Sequence, residues 1–195
     1  MVEYLVENGA DVNIENDYAL RISVNNRNRD ITKYLIEKGA NILTDYSSTL
    51  RQIAENGDLE VIKCLDIDEV GNYILGICAK YGHLDVVEYL VENGVDLHTD
   101  DDYALRISAE NNDFLLVKYL VENGADIHAK DDCALRISAD YGYLEIVKYL
   151  VKNGANIQTM DNFALRTSYQ YRPEVYDYLS QIVTQMKSDK TNVIN

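Results

Sequence analysis

Asn93-Gly94-Val95-Asp96, Asn123-Gly124-Ala125-Asp126 and Asn153-Gly154-Ala155-Asn156 follow one another at intervals of 30 residues, with earlier copies in Asn8-Gly9-Ala10-Asp11 and Lys38-Gly39-Ala40-Asn41. A second phrase keeps the same beat: Tyr18-Ala19-Leu20-Arg21, Thr49-Leu50-Arg51, Tyr103-Ala104-Leu105-Arg106, Cys133-Ala134-Leu135-Arg136 and Phe163-Ala164-Leu165-Arg166. Two phrases in one phase make the chain an array of repeats. A unit of this length is one supersecondary element that cannot bury its apolar face alone, so neighbours must stack to build a continuous core.

Within the clearest unit the spacing predicts two helices. The first runs near Tyr103 to Asn111, with Leu105, Ser108 and Ala109 on one face, where small residues let a neighbour approach. Asp102 is expected to cap it by accepting an orphan backbone amide, as are Asp17 and Asp132 in other units. The second runs near Phe114 to Asn123, with Phe114, Val117, Leu120 and Val121 in an apolar stripe. Gly124 closes it, because glycine tolerates the left-handed conformation of a helix end. The stretch Asp126 to Asp131 then forms a compact turn, or finger, leading to the next first helix. Recurrent glycines are thus explained as helix ends and turns, and no glycine-rich phosphate loop remains.

Composition excludes several classes. The formal net charge of −15 over 195 residues repels polyphosphate, so nucleic acid is not an expected partner, and Arg27 and Arg29 read as a solvated turn. No apolar run approaches the ~20 residues that cross a bilayer, and the start has no secretory-signal pattern. Cys64, Cys78 and Cys133 form an odd set without C-x-x-C spacing, which suits a reducing, cytoplasmic setting and structural roles. His98 and His128 occupy the same place in adjacent units, but stacked helices lie ~8–10 Å apart whereas zinc needs ligands at ~2 Å, so no metal site is expected. The acidic runs lack the spacing of a calcium loop, and no nucleophile is tied to a plausible base. The expectation is a protein without catalytic residues or cofactor.

Gly82-His83-Leu84-Asp85-Val86-Val87-Glu88-Tyr89-Leu90-Val91-Glu92-Asn93-Gly94 resembles the second helix of an ankyrin repeat, and the likeness extends over almost the whole chain. It implies an all-α solenoid of helix-turn-helix units. The wording of residues 101–109 and 117–129 is similar to ankyrin-repeat proteins of giant DNA viruses of amoebae, which would place the protein in the host cytosol. Two departures matter. The family's Thr-Pro-Leu-His reads Tyr103-Ala104-Leu105-Arg106 here, so the arginines are expected either to form a ladder between units or to pair locally with Asp17, Asp102, Asp132 or Asn162. The period is also about three residues shorter than the usual ankyrin unit, which shortens the fingers.

The expected organisation is one array over residues 1–187: a half repeat at 1–10, repeats near 17–40, 47–66, 72–95, 102–125 and 132–155, a capping repeat at 162–187, and a tail at 188–195. The leucine markers Leu20, Leu50, Leu75, Leu105, Leu135 and Leu165 are spaced 30, 25, 30, 30 and 30, so one junction has lost five residues. The resemblance implies binding of a protein partner through the concave first-helix and finger face, and the acid-rich fingers favour a partner with a basic or mixed surface. Variable residues closing the first helices supply the expected contacts: Tyr81, Glu110, Asn111, Asp140, Tyr141 and Tyr171, with Asp100, Asp101 and Asp131 on the fingers. Tyrosine buries a large area at small entropic cost, which makes Tyr81, Tyr141 and Tyr171 the anchors. Two alternatives stand beside this. Val2, Leu5 and Val6 at the N-terminal edge could drive self-association, or the chain is a fragment of a split array.

Overall fold

Leucines and small residues at helical spacing produce helices in every repeat. The structure is a computed structural model that describes residues 1–42 and 48–192, so residue 47 of the expected second repeat and residues 193–195 of the expected tail lie outside the described residues. Two units are compact, Met1–Asp96 and Leu97–Asn195.

In the first unit, α1 (Val2–Glu7), α3 (Arg29–Glu37), α5 (Leu59–Ile62) and α7 (Leu84–Glu92) form one layer, while α2 (Ile14–Asn25), α4 (Thr49–Asn56) and α6 (Ile67–Lys80) form the other. In the second unit α8 (Thr99–Glu110), α10 (Ala129–Tyr141) and α12 (Thr159–Tyr171) make the first-helix layer, backed by α9 (Phe114–Glu122), α11 (Leu144–Lys152) and α13 (Pro173–Asn192). This is an all-helical solenoid architecture; α13 continues beyond residue 187, where the sequence places the start of a tail.

The core of each repeat is the one its periodicity selects. Leu105 and Ala109 on α8 and Leu116, Val117 and Leu120 on α9 are buried, and Leu135, Ala139, Ile146, Val147 and Leu150 repeat the set. Burying each such leucine stabilises by about 1.5–3 kcal/mol. Ser108 and Ser138 are fully buried among them without loss, because each hydroxyl donates to a carbonyl one turn back, Ala104 O at 2.7 Å and Ala134 O at 2.8 Å.

The Asn-Gly phrase ends the second helices through two bonds. Asn123 Nδ2 donates to Tyr119 O at 2.8 Å, and past Gly124, at φ 100°, the Ala125 amide donates to Leu120 O at 3.0 Å. The latter is the six-to-one bond that closes a Schellman cap.

The first helices begin differently from the expectation. Within α8 the residues Asp100, Asp101 and Asp102 have φ of 54°, 54° and 55°, a single left-handed turn before right-handed helix sets in at Tyr103. Lys130–Asp132 and Met160–Asn162 repeat it in α10 and α12. L-residues in this conformation cost roughly 1–2 kcal/mol each, and aspartate and asparagine bear it best, which accounts for their density here. Asp102 therefore does not cap its own helix. Its carboxylate, 3% exposed, accepts the Asp126 amide of the next repeat at 2.8 Å, and Asp132 likewise accepts the Asn156 amide at 2.7 Å and the Thr159 hydroxyl at 2.7 Å. The side-chain caps lie instead on second helices, where Asp113 accepts the Leu116 amide at 3.0 Å and Asn28 the Ile31 amide at 3.3 Å.

The shortened junction of the first unit has no such turn. α6 starts directly at Ile67 and keeps one hand throughout, and Gly71 stands where Asp101 and Asp131 stand elsewhere. A Cβ on Gly71 would lie 2.5 Å from Val95 Cγ2, so the close approach requires glycine. The strut persists nonetheless, since Asn72 Oδ1 accepts the Asp96 amide at 3.2 Å. At the N-terminal edge α1 buries no residue, and Leu5 is 52% exposed where Leu35 and Leu90 are fully buried.

Candidate functional site

The first helices bury their leucine face and leave a stripe outward. On α8 it runs through Tyr103, Arg106 and Glu110, three and four residues apart, and on α10 through Cys133, Arg136 and Asp140. The arginines are held at one end of this stripe. Arg106 Nε donates to Asp101 O at 3.0 Å and its Nη2 to Asp100 O at 2.9 Å; Arg136 Nε donates to Asp131 O at 2.9 Å and its Nη2 to Lys130 O at 3.0 Å. Each guanidinium thus clips the first two carbonyls of a three-residue left-handed turn, and each also lies over a ring, Arg106 at 5.4 Å from Tyr103 and Arg136 at 5.3 Å from Phe163.

The two expected roles of these arginines are therefore exchanged with the aspartates. Arg106 does not pair with the Asp102 side chain; the aspartates form the hydrogen-bonded ladder, and the arginines donate to carbonyls of their own repeat, with Arg136 also touching the Phe163 ring of the next. The reason is geometric. The left-handed turn points Asp102 and Asp132 into the junction, 24 residues from an amide that needs an acceptor, and leaves two carbonyls free at the spacing of an arginine fork.

The predicted contact residues fall into two groups in the second unit. Asp100, Asp101 and Asp131 are exposed on the fingers at the start of the first helices. Asp101 meets Lys130 Nζ at 2.6 Å, and that hydrogen bond and charge hold its carboxyl below the usual aspartate range. Glu110, Asn111, Asp140, Tyr141 and Tyr171 are exposed at the far end. Eight helical residues separate the groups, about 12 Å along the axis. Tyr141 is 49% exposed and stacks on Tyr143 with centroids 5.6 Å apart and planes 14° from parallel; Tyr171 is 67% exposed. Tyr81 belongs to the first unit, closes α6, and stacks at 6.4 Å on His83.

Sequence reasoning passed over Tyr143 and treated His83 as a turn residue. His83 Nε2 meets Glu55 O at 2.8 Å, with its ring over Gly57; a Cβ there would lie inside contact distance of the ring. Arg172 repeats the device, its Nε donating to Asp140 O at 3.0 Å beside Gly142. The hint in the sequence is a glycine at the turn of one repeat and a large nitrogen-bearing side chain 26 or 30 residues on.

His98 and His128 lie against their own repeat's strut, with Nδ1 3.2 Å from Asp102 Oδ1 and 3.0 Å from Asp132 Oδ1. Among the described residues no group of three or more His, Cys, Asp or Glu could hold a metal ion. Arg29 pairs with Asp58 at 2.6 Å. Burial pushes the Cys78 thiol up to about 12, which keeps it protonated, and the Cys64 thiol is raised by the same cause. Among the described residues no helix is long and apolar enough to cross a membrane.

Comparison with known proteins agrees with this architecture. The family described as Ankyrin repeats (3 copies) matches residues 50–131 and 75–161. The crystal structure of the ankyrin repeat domain of Bcl-3, a member of the IkappaB protein family, is similar with a TM-score of 0.69 at 20% identity, over 92% of this chain and 90% of that one. A search of curated proteins gave no match.

Proposed function

Because the chain belongs to the ankyrin-repeat family, whose repeats are protein–protein interaction modules on a non-enzymatic scaffold, we propose that it binds a protein partner without cofactor, through the concave face made by first helices and fingers. The observation that carries this reading is the open tyrosine stack at the end of α10, with Tyr171 exposed at the matching place on α12. Aromatic rings left in solvent beside Glu110, Asn111 and Asp140 have the composition of a binding hot spot with a polar rim. A net charge of −15 favours a partner with a basic or mixed surface, drawn in by complementary charge. Three free cysteines support action in the cytoplasm, and the wording of the repeats supports kinship with viral ankyrin proteins.

The test is affinity capture from cell lysate with the wild type beside Tyr141→Ala/Tyr171→Ala, the variant first shown to unfold at the wild-type midpoint. A protein retained by the wild type and lost by the variant is the expected result; equal retention refutes the assignment of this face. Tyr81→Ala, in the first unit, is measured separately.

A second reading is self-association through the N-terminal edge, favoured by the exposure of Leu5 and Tyr4 on a helix that buries nothing. A monomer mass that does not change with concentration in sedimentation equilibrium contradicts it.

A further inference from the structure

We infer that Arg106 and Arg136 are positioning residues of the finger face: each clips a left-handed turn and fixes how the two exposed residues before its buried acid are presented to solvent. The inference rests on the interaction reading only for its consequence in binding; the geometry it concerns is testable without a partner.

Three observations converge on it. Each guanidinium bonds two successive carbonyls at 2.9–3.0 Å, which takes a planar fork and which a lysine ammonium cannot reproduce with the same geometry. In both turns the third residue, Asp102 or Asp132, is buried, and the first two, Asp100-Asp101 or Lys130-Asp131, are exposed. The outward pair therefore changes from acid-acid to base-acid between consecutive fingers, while the inward residue stays the same. What a partner meets varies, and the clip determines how it is presented. Arg21 repeats part of the device in the first unit, where its Nη2 donates to Glu15 O at 3.1 Å.

The chain also contains a comparison turn. Met160–Asn162 is left-handed like the others, yet Arg166 is exposed and, among the described residues, makes no bond to it. Removing the clip from either of the other fingers should bring it to the order of this one.

The experiment is nuclear magnetic resonance on the isotopically labelled full chain, comparing wild type with Arg136→Gln and Arg136→Lys. A residue at φ near +55° holds its amide and α protons close together and gives a strong intraresidue cross-peak, unlike right-handed helix. The expected result is strong peaks at Lys130–Asp132 and at Met160–Asn162 alike in the wild type, with heteronuclear NOE values, which report backbone order, higher at Lys130 and Asp131 than at Met160 and Asp161, and lowered in both variants to the level of Met160 and Asp161. Asp100–Asp102 and the exchange protection of the Asn156 amide, which bonds to Asp132, should stay unchanged. Heteronuclear NOE values at Lys130 and Asp131 that stay unchanged in Arg136→Gln would overturn the inference, because the turn would then hold itself. Loss of Asn156 protection together with the order of Lys130 and Asp131 would also overturn it, because the arginine would then belong to the stack rather than to presentation. Partner capture by the wild type is read separately, so failure of the clip and failure of the binding proposal are distinguishable.

Discussion

The junction between Leu65 and Leu75 in the first unit and the junctions of the second unit solve the same stacking problem, one with a finger and one without. In Leu97–Asn195 the left-handed turns Asp100–Asp102 and Lys130–Asp132 are each clipped by an arginine and tied to the next repeat through Asp102 or Asp132. Five residues shorter, the first-unit junction runs straight into α6, yet Asn72 still accepts an amide 24 residues on. The strut survives deletion of the finger. Stacking and display are therefore carried by different side chains: leucines, small residues and an Asp or Asn acceptor hold the repeats together, and arginines hold what the fingers show.

The comparison is sharpened first at the core. Leu120→Ala, at a fully buried position, should cost about 2–5 kcal/mol in urea unfolding, whereas Leu5→Ala at the half-exposed edge should change stability by less than about 1 kcal/mol. Similar losses at both would show that α1 is packed as tightly as the interior. Next come the struts. Asp132→Ala strands the Asn156 amide and the Thr159 hydroxyl and should cost about 1–3 kcal/mol, while Asp132→Asn should recover most of that, because Asn72 already does the work in the short junction. If asparagine is as damaging as alanine, the equivalence of the two junctions fails.

Smaller effects follow from titration. Cys78, buried in the first unit, has its thiol raised to about 12, so the folded state prefers the protonated form. Stability is unaffected by this group below the unfolded thiol range near pH ~8.5 and declines as pH rises beyond it; alkylation of native protein at pH 8 should reach half-exposed Cys133 well before Cys78. Asp101 has its carboxyl lowered by Lys130, so the pair contributes above the ordinary aspartate range and the contribution is lost as pH falls through the depressed value. Both partners are exposed, and Lys130→Met should produce the smallest change of the series, seen as a slightly flatter acid limb of stability against pH.

Much of this architecture was legible in the repeat itself. Helix spans, buried leucines and the glycine ends follow from 3.6-residue periodicity and from the conformations glycine permits, all of which are local. Asp102 and Arg106 were misassigned because their partners obey other rules. A strut joins residues 24 apart across a junction, a distance that helix periodicity does not encode. The arginine clip depends on a run of left-handed non-glycine residues, which intrinsic preference disfavours and only the assembled repeat sustains. Among the site residues, Tyr141, Tyr171, Glu110, Asn111 and Asp140 are exposed as their variable positions imply. Their separation from Asp100, Asp101 and Asp131 by the length of a helix became visible only in three dimensions.

The separation of stacking from display is tested most directly by residue-resolved amide hydrogen exchange on Asp132→Ala beside Arg136→Gln. Faster exchange at Asn156 and in the adjoining repeat for Asp132→Ala, with acceleration confined to Lys130–Asp132 for Arg136→Gln, is the predicted result. The same spread of accelerated amides in both variants would contradict it, because one network would then serve both tasks.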